Sequence, residues 1–287
     1  SSKVEKDVVI STWQSIYKLP KKYFEQFGCV IGDEAHMFKA KSLTGIMTKL
    51  HQCKYRFGLT GTLDGTQTHR LVLEGLFGAV ENVVTTKELI DKKTLANLKI
   101  KCIVLRHPNI REKMTYAEEL EYIVSNEKRI DFVVNLLRHL NGNTLCLFQL
   151  VEKHGKILND KMKGSENVYF VYGGTDTSDR EKIRGLVETH TKSTTIASFG
   201  VFSTGINIRN INNIVLASPS KSKIRVLQSI GRGLRTSGVK DSVLIYDIAD
   251  DISYNERRNF TLNHFTERLN IYNEEQFNYE ISRVKLK

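Results

Sequence analysis

Cys29-Val30-Ile31-Gly32-Asp33-Glu34-Ala35-His36 is the stretch that decides the fold. The apolar run Cys29-Val30-Ile31 predicts a short buried strand, and two adjacent carboxylates follow it at once. Open parallel sheets hold their ligands outside the carboxyl ends of the strands. Acids placed there suit magnesium binding and the orientation of an attacking water in phosphoryl transfer. The same letters also make an ordinary acidic helix start, since Asp and Glu favour helix N-termini. The choice between the two readings depends on the sequence around them.

Upstream, Val8-Val9-Ile10 predicts another buried strand, with Ser11 or Thr12 capping the helix after it. Downstream, Tyr55 to Leu59 reads as a strand ending at Thr60-Gly61-Thr62. Strand, helix and strand at this spacing fit a parallel α/β sheet. Only about three strands fit before residue 85, too few for a complete doubly wound domain. From Ile100 onward the pattern is fuller. A strand is expected at 100–105, then helix over 111–140 with a break near Ser125-Asn126. Strands follow at 144–149, 167–172, 194–199, 213–218 and 242–248, alternating with helices at 151–163, 178–190 and 222–235. This βαβ series predicts a second α/β domain with a parallel sheet. The tail carries Phe260, Phe265, Tyr272, Phe277 and Tyr279 among polar residues, which predicts a helix over 257–275 and a strand-like end packed on that domain. The expected boundaries are 1–93, 94–254 and 255–287.

The bulk composition narrows the function classes. The chain has 287 residues, 40% hydrophobic, with three prolines, as a folded globular protein does. A formal charge of +11 favours a polyanionic partner, of which nucleic acid is the commonest. Cys29, Cys53, Cys102 and Cys146 form no C-x-x-C pair, which argues against a structural zinc or a disulfide framework and for a reducing, cytoplasmic setting. The eight histidines show no H-x-x-H or H-x-x-x-H spacing. No apolar run is long enough to span a membrane, and the first residues lack signal-peptide character.

Two further segments carry chemistry-bearing residues. In Gln228-Ser229-Ile230-Gly231-Arg232-Gly233-Leu234-Arg235, helical spacing puts Gln228, Arg232 and Arg235 on one face. Leu227, Ile230 and Leu234 form an apolar stripe that can seat the helix on a sheet. Arginines so placed either reach a γ-phosphate, where such a group is worth about 10³–10⁵ in rate, or form a solvated basic face. Ser203-Thr204-Gly205-Ile206-Asn207 is expected in a loop after the strand at 194–199, where Ser203, Thr204 and the backbone at Gly205 can meet a phosphate. One absence matters as much: no G-x-x-x-x-G-K-[ST] loop occurs in the sequence. Gly155-Lys156 imitates the end of one, but Ile157 follows where Ser or Thr is needed.

Taken in order, Val8–Ile16, Asp33–His36, Gly58–Thr62, Leu145–Gln149, Ser198–Asn207 and Gln228–Arg235 resemble the later motifs of the superfamily 2 DEAH-type helicases, in the branch that includes restriction-enzyme motors. The resemblance covers most of the chain. It implies tandem RecA-like domains, the first incomplete at its N-terminus, with ATP and Mg2+ held between them. Asp33, through magnesium, and Glu34 take the hydrolytic roles in that family, while Arg232 and Arg235 act as arginine fingers. His36, Gly205 and Gln228 join the nucleotide-facing surface, and Thr60, Gly61 and Thr62 couple the domains. DNA, branched or forked, would be held through its phosphates by Ser11, Thr12, Ser203 and Thr204, on a monomer. Asn207 departs from the family's usual Asp. The phosphate loop of such a motor belongs well upstream of Asp33, so the resemblance is to the C-terminal part of one. The alternatives are a non-catalytic nucleic-acid-binding module of the same architecture and a translocase that moves without unwinding.

Overall fold

The computed structural model describes residues 7–38, 40–61, 63, 67–92, 96–108, 110–204, 208, 210–219, 242–255 and 257–286. They form two compact units, Ser1–Val83 and Val84–Lys287.

The first unit holds α1 (Trp13–Ile16), α2 (Lys21–Phe24), β1 (Cys29–Gly32), α3 (Lys41–Lys49), β2 (Tyr55–Gly58) and α4 (Gln67–Phe77). Strands β1 and β2 pair in parallel with Cys29 opposite Tyr55 and Gly32 opposite Gly58. Leu43, Ile46 and Met47, spaced as one helical face of α3, bury against Phe24, Phe38, Leu50 and Leu73. The ammonium of Lys49 donates to the carbonyls of Tyr17 and Leu19 at 2.6 and 2.8 Å, which ties α3 to the turn between α1 and α2. The guanidinium of Arg56 donates to the carbonyls of Leu50 and Cys53 and so fixes the entry into β2.

Two expectations fail in this unit. Val8-Val9-Ile10 is not a strand, and Ile10 is 95% exposed. Strand β1 is not buried either: Ile31 is 64% exposed, and Phe57 and Leu59 in the neighbouring strand and loop are open too. With two strands, the sheet is covered by helices on one face only, so the residues alternating to the other face stay in solvent.

The second unit holds α5 (Thr86–Asp91), β3 (Asn97–Arg106), α6 (Tyr116–Ser125), α7 (Glu127–His139), β4 (Asn143–Phe148), α8 (Lys156–Lys161), β5 (Val168–Val171), α9 (Thr177–Thr189), β6 (Ser193–Ser198), α10 (Phe199–Thr204), β7 (Asn213–Leu216), β8 (Ser242–Asp251), α11 (Phe260–Glu274) and β9 (Tyr279–Lys285). Its seven strands run parallel in the order β5-β6-β4-β7-β8-β3-β9. Both faces are covered. One carries Ile100, Cys102, Ile245 and Ile214 against α9 and α11, and the other Ile103, Leu105, Cys146 and Ile248 against α7 and α8. Strands β4, β6 and β7 are buried along their whole length, as expected of central parallel strands. The break expected near Ser125-Asn126 is a cap: the Asn126 side chain accepts from the Arg129 N–H and opens α7. The strand-like end is a full member of the sheet, since β9 pairs with β3.

Strand β8 clamps a helix on each face through buried charge. Asp247 accepts from Nε and Nη2 of Arg268 and from the Tyr272 hydroxyl, all on α11. Asp250, three residues on and therefore on the opposite face, accepts from Nε of Arg129 on α7 at 2.7 Å and contacts His107 at 2.9 Å. Burial raises the Asp250 carboxyl pKa, but the Arg129 charge and the hydrogen bonds from His107 and Arg129 outweigh it and hold the group below its ordinary value. Composition gave no hint of these pairs, because a lone Asp in a strand and a lone Arg in a helix read as surface residues.

Candidate functional site

The DEAH turn follows β1 directly. Glu34 sits in the left-handed region at φ 50°, ψ 49°, uncommon for a residue with a side chain. The turn is bound from several sides. The Glu34 N–H donates to Asp33 Oδ1 at 2.9 Å, and the Ala35 N–H donates to the Leu59 carbonyl at 2.8 Å. Leu59 in turn donates to the Gly32 carbonyl. Both carboxylates are exposed, while His36 beneath them is buried. His36 Nδ1 shares a hydrogen bond with Thr60 Oγ1 at 3.0 Å and lies 3.3 Å from Glu34 Oε2. From α4, buried His69 donates through Nε2 to the His36 carbonyl at 2.9 Å.

The acid turn, the loop after β2 and the start of α4 are thus one hydrogen-bonded assembly within the first unit. Its close approach depends on two glycines paired across the strands. A Cβ at Gly58 would stand 2.9 Å from the Phe77 ring, and one at Gly32 would stand 2.8 Å from the Phe38 ring. The two rings pack edge to face, 5.1 Å apart. Phe38, His69 and Phe77 did not stand out in the sequence. Only the strict pairing of the two glycines could have pointed to a ring seated over them.

The carboxylates fit magnesium in a particular sense. Among the described residues, no three His, Cys, Asp or Glu side chains gather to hold a metal. One or two exposed carboxylates suffice for Mg2+, which keeps waters and takes substrate phosphates for its remaining positions.

The other expected site residues stand as follows. Gly61 is exposed. Thr12 occupies the N-cap position of α1, yet its hydroxyl meets the Ser15 hydroxyl at 3.0 Å rather than a backbone N–H. The Ser11 hydroxyl donates to the Thr12 carbonyl. Ser203 and Thr204 end the short helix α10, so the loop expected straight after the strand is helical first. Thr62, Gly205, Asn207, Gln228, Arg232 and Arg235 lie outside the described residues. The Gly155-Lys156 imitation is resolved by packing: Gly155 closes a π-helical turn over Val151–Gly155, and a Cβ there would run into the Phe148 ring. Three cysteines are buried and Cys29 is exposed. Burial pushes the Cys146 thiol up to about 12, so it stays protonated.

Parallel strands with acidic, hydroxyl-bearing loops at their carboxyl ends define a ligand-binding open α/β sheet. Family comparison agrees. Residues 128–237 match the helicase conserved C-terminal domain, and residues 1–65 match the type III restriction enzyme res subunit. The ATP-dependent DNA helicase UvsW of Enterobacteria phage T4 is 36% identical over 97% of this chain and 59% of its own length. Its crystal structure superimposes with a TM-score of 0.58 at 35% identity, covering 96% of this chain and 57% of that one. The type ISP restriction-modification enzyme LlaBIII, 14% identical, shares the fold at a TM-score of 0.66 over 95% of this chain and 23% of that one. The chain is similar to helicases of the superfamily 2 type, with T4 UvsW among the relatives it matches, and it spans a little under three fifths of that relative's length.

Proposed function

We propose that this chain is part of an ATP-dependent DNA helicase that acts on branched DNA in recombination and repair, as a monomer in the host-cell cytoplasm. The observation that carries the reading is the hydrogen bond between His36 and Thr60, which fastens the acid turn to the hydroxyl loop. A change in contacts at the carboxylates is then felt at Thr60, as coupling of hydrolysis to movement requires. Asp33 would hold Mg2+ with ATP, and the bound ion would supply charge neutralisation on the phosphates. Glu34, with its carboxylate exposed and its backbone fixed, would orient the attacking water. Arg232, Arg235 and Gln228 would complete the nucleotide contacts, and Ser11, Thr12, Ser203 and Thr204 would touch DNA phosphates.

The 287 residues contain no phosphate-binding loop, so this chain by itself is expected not to turn over ATP. The test measures DNA-stimulated ATP hydrolysis by the purified chain and by a form extended upstream to include such a loop. Turnover by the extended form alone, abolished by Glu34→Gln, is the expected result. Turnover by the 287-residue chain that Glu34→Gln abolishes would overturn the division of labour. The res-subunit match favours a second reading, a translocase that moves on duplex DNA without separating it. A strand-displacement assay on forked DNA, run beside a triplex-displacement assay, separates the two.

A further inference from the structure

Several basic side chains on the second unit are matched by acids, as in the pairs Lys101–Glu280, Lys153–Glu121, Lys156–Glu152, Lys161–Asp131 and Lys182–Asp179. Lys113, Arg257, Arg258 and Arg283 are among those that are not, and they are gathered in one place. All four are exposed, and among the described residues none makes an ion pair. They come from separate segments: the stretch before α6, the link between β8 and α11, and strand β9. The fold nonetheless brings them to two recesses with one shared wall. The first, about 380 Å³, is lined by Lys113, Arg257, Arg258, Met114, Tyr254 and Phe260. The second, about 420 Å³, shares Arg258 and adds Arg283, Ser253, Leu262, Leu269 and Ile281.

The floor is rigid. Asn259 donates to the Asp250 carbonyl and to Thr261 Oγ1, and its own side-chain oxygen accepts from the Ile252 N–H. Tyr254 and Arg257 exchange two backbone hydrogen bonds across a tight turn. Two acids reach these recesses, and both are engaged. Glu119 accepts from the Phe260 and Thr261 N–H groups, and Asp251 lies 3.8 Å from Arg106. Four basic groups against two acids leave the lining of the recesses net positive. Beside it stands an aromatic ring, Phe260, 43% exposed. Basic groups that track a backbone, next to an open aromatic on which a base can stack, suit a single nucleic-acid strand. The place is also apt, at the carboxyl ends of β3 and β8, where open sheets take ligands.

We infer that this basic rim is a nucleic-acid contact, distinct from Ser11–Thr12 and Ser203–Thr204. Lys113, Arg257, Arg258 and Arg283 hold phosphates of one strand, and Phe260 receives a base. The inference rests on the nucleic-acid-binding reading above. An acidic peptide would be drawn by the same charge, but it would leave the exposed ring without a purpose.

The test is fluorescence anisotropy of labelled single-stranded and forked DNA with the whole chain, at several salt concentrations. Removing Arg257 and Arg258 together is expected to weaken binding severalfold at low salt and to flatten the log–log salt dependence by roughly 0.7 per lost phosphate contact. Lys113→Ala with Arg283→Ala should act alike, Arg257→Lys with Arg258→Lys should restore most of the slope, and Lys182→Ala should change nothing. Phe260→Ala should weaken single-strand binding without altering the slope. Circular dichroism melts establish that each variant is folded. Normal binding by the wild type with unchanged affinity and slope in both basic double variants would overturn this contact and leave the helicase reading intact. Wild-type chain that fails to bind DNA even at low salt would sink both. Displacement of DNA by polyglutamate at matched charge as readily as by unlabelled DNA would assign the rim to an acidic protein instead.

Discussion

The two units solve the same problem with different means. In the second, seven parallel strands are covered on both faces, and two buried acids on β8 fasten a helix to each side. In the first, two strands with one open face present the acid turn, and its order comes from short-range bonds among Asp33, His36, Thr60 and His69. The difference teaches that a motif loop can be held by its neighbouring loops and a pair of rings packed edge to face where a wide sheet is missing. Stability in the second unit is a property of the interior. Order in the first is a property of the loop cluster.

The sharpest way to break the comparison is to remove a charge from the interior of the second unit. Arg129→Met leaves Asp250 buried without its main partner, a change that typically costs about 3–5 kcal/mol. Urea denaturation followed by circular dichroism should show that loss, and signals from Trp13 in the first unit should be unaltered. A smaller effect is expected from Gly58→Ala in the first unit. The added methyl meets the Phe77 ring, and overpacking of this kind costs about 1–3 kcal/mol. Phe77→Leu should recover part of the loss in the double variant, and additive losses would show that the ring is not what the glycine makes room for.

A pH series sharpens the contrast further. Burial, with the Arg129 charge beside it, pushes the His154 imidazole down to about 3 from its ordinary value of 6.5. The unfolded chain therefore binds a proton that the folded one refuses, so stability falls as pH drops below the unfolded value. The slope should be on the order of 1 kcal/mol per pH unit between those two values. His154→Gln should flatten it, and an unchanged slope would place the titration elsewhere. The smallest effect belongs to the surface. Lys182→Ala loses an exposed pair with Asp179, and its melting temperature should match the wild type.

The sequence was most legible where chemistry and periodicity coincide. The strands of the second unit lie within a few residues of their expected places because Leu145–Phe148, Thr194–Ser198 and Asn213–Leu216 are apolar or β-branched runs between turn residues. Asp33, Glu34, His36 and Thr60 could be singled out as candidates because their types and spacing are those of a known chemistry. Val8–Ile10 misled because β-branched runs score as strands whether or not a partner strand is at hand. His69, Phe77, Asp250 and Arg129 were invisible because each matters only through a residue distant in sequence. Lys113 and Arg283 were hidden for the same reason: 170 positions apart, they come to neighbouring recesses only through folding.

Strand β3 lies between β8 and β9 and pairs with both. Both partners come far later in the chain. During synthesis, at about 5–20 residues per second, β3 would leave the ribosome on the order of ten seconds before β8 exists to receive it. Its apolar residues, Ile100, Cys102, Ile103 and Leu105, are without their native neighbours for that interval. The nascent second unit is therefore a natural client for chaperones, and slow codons placed between β3 and β8 would lengthen its exposure.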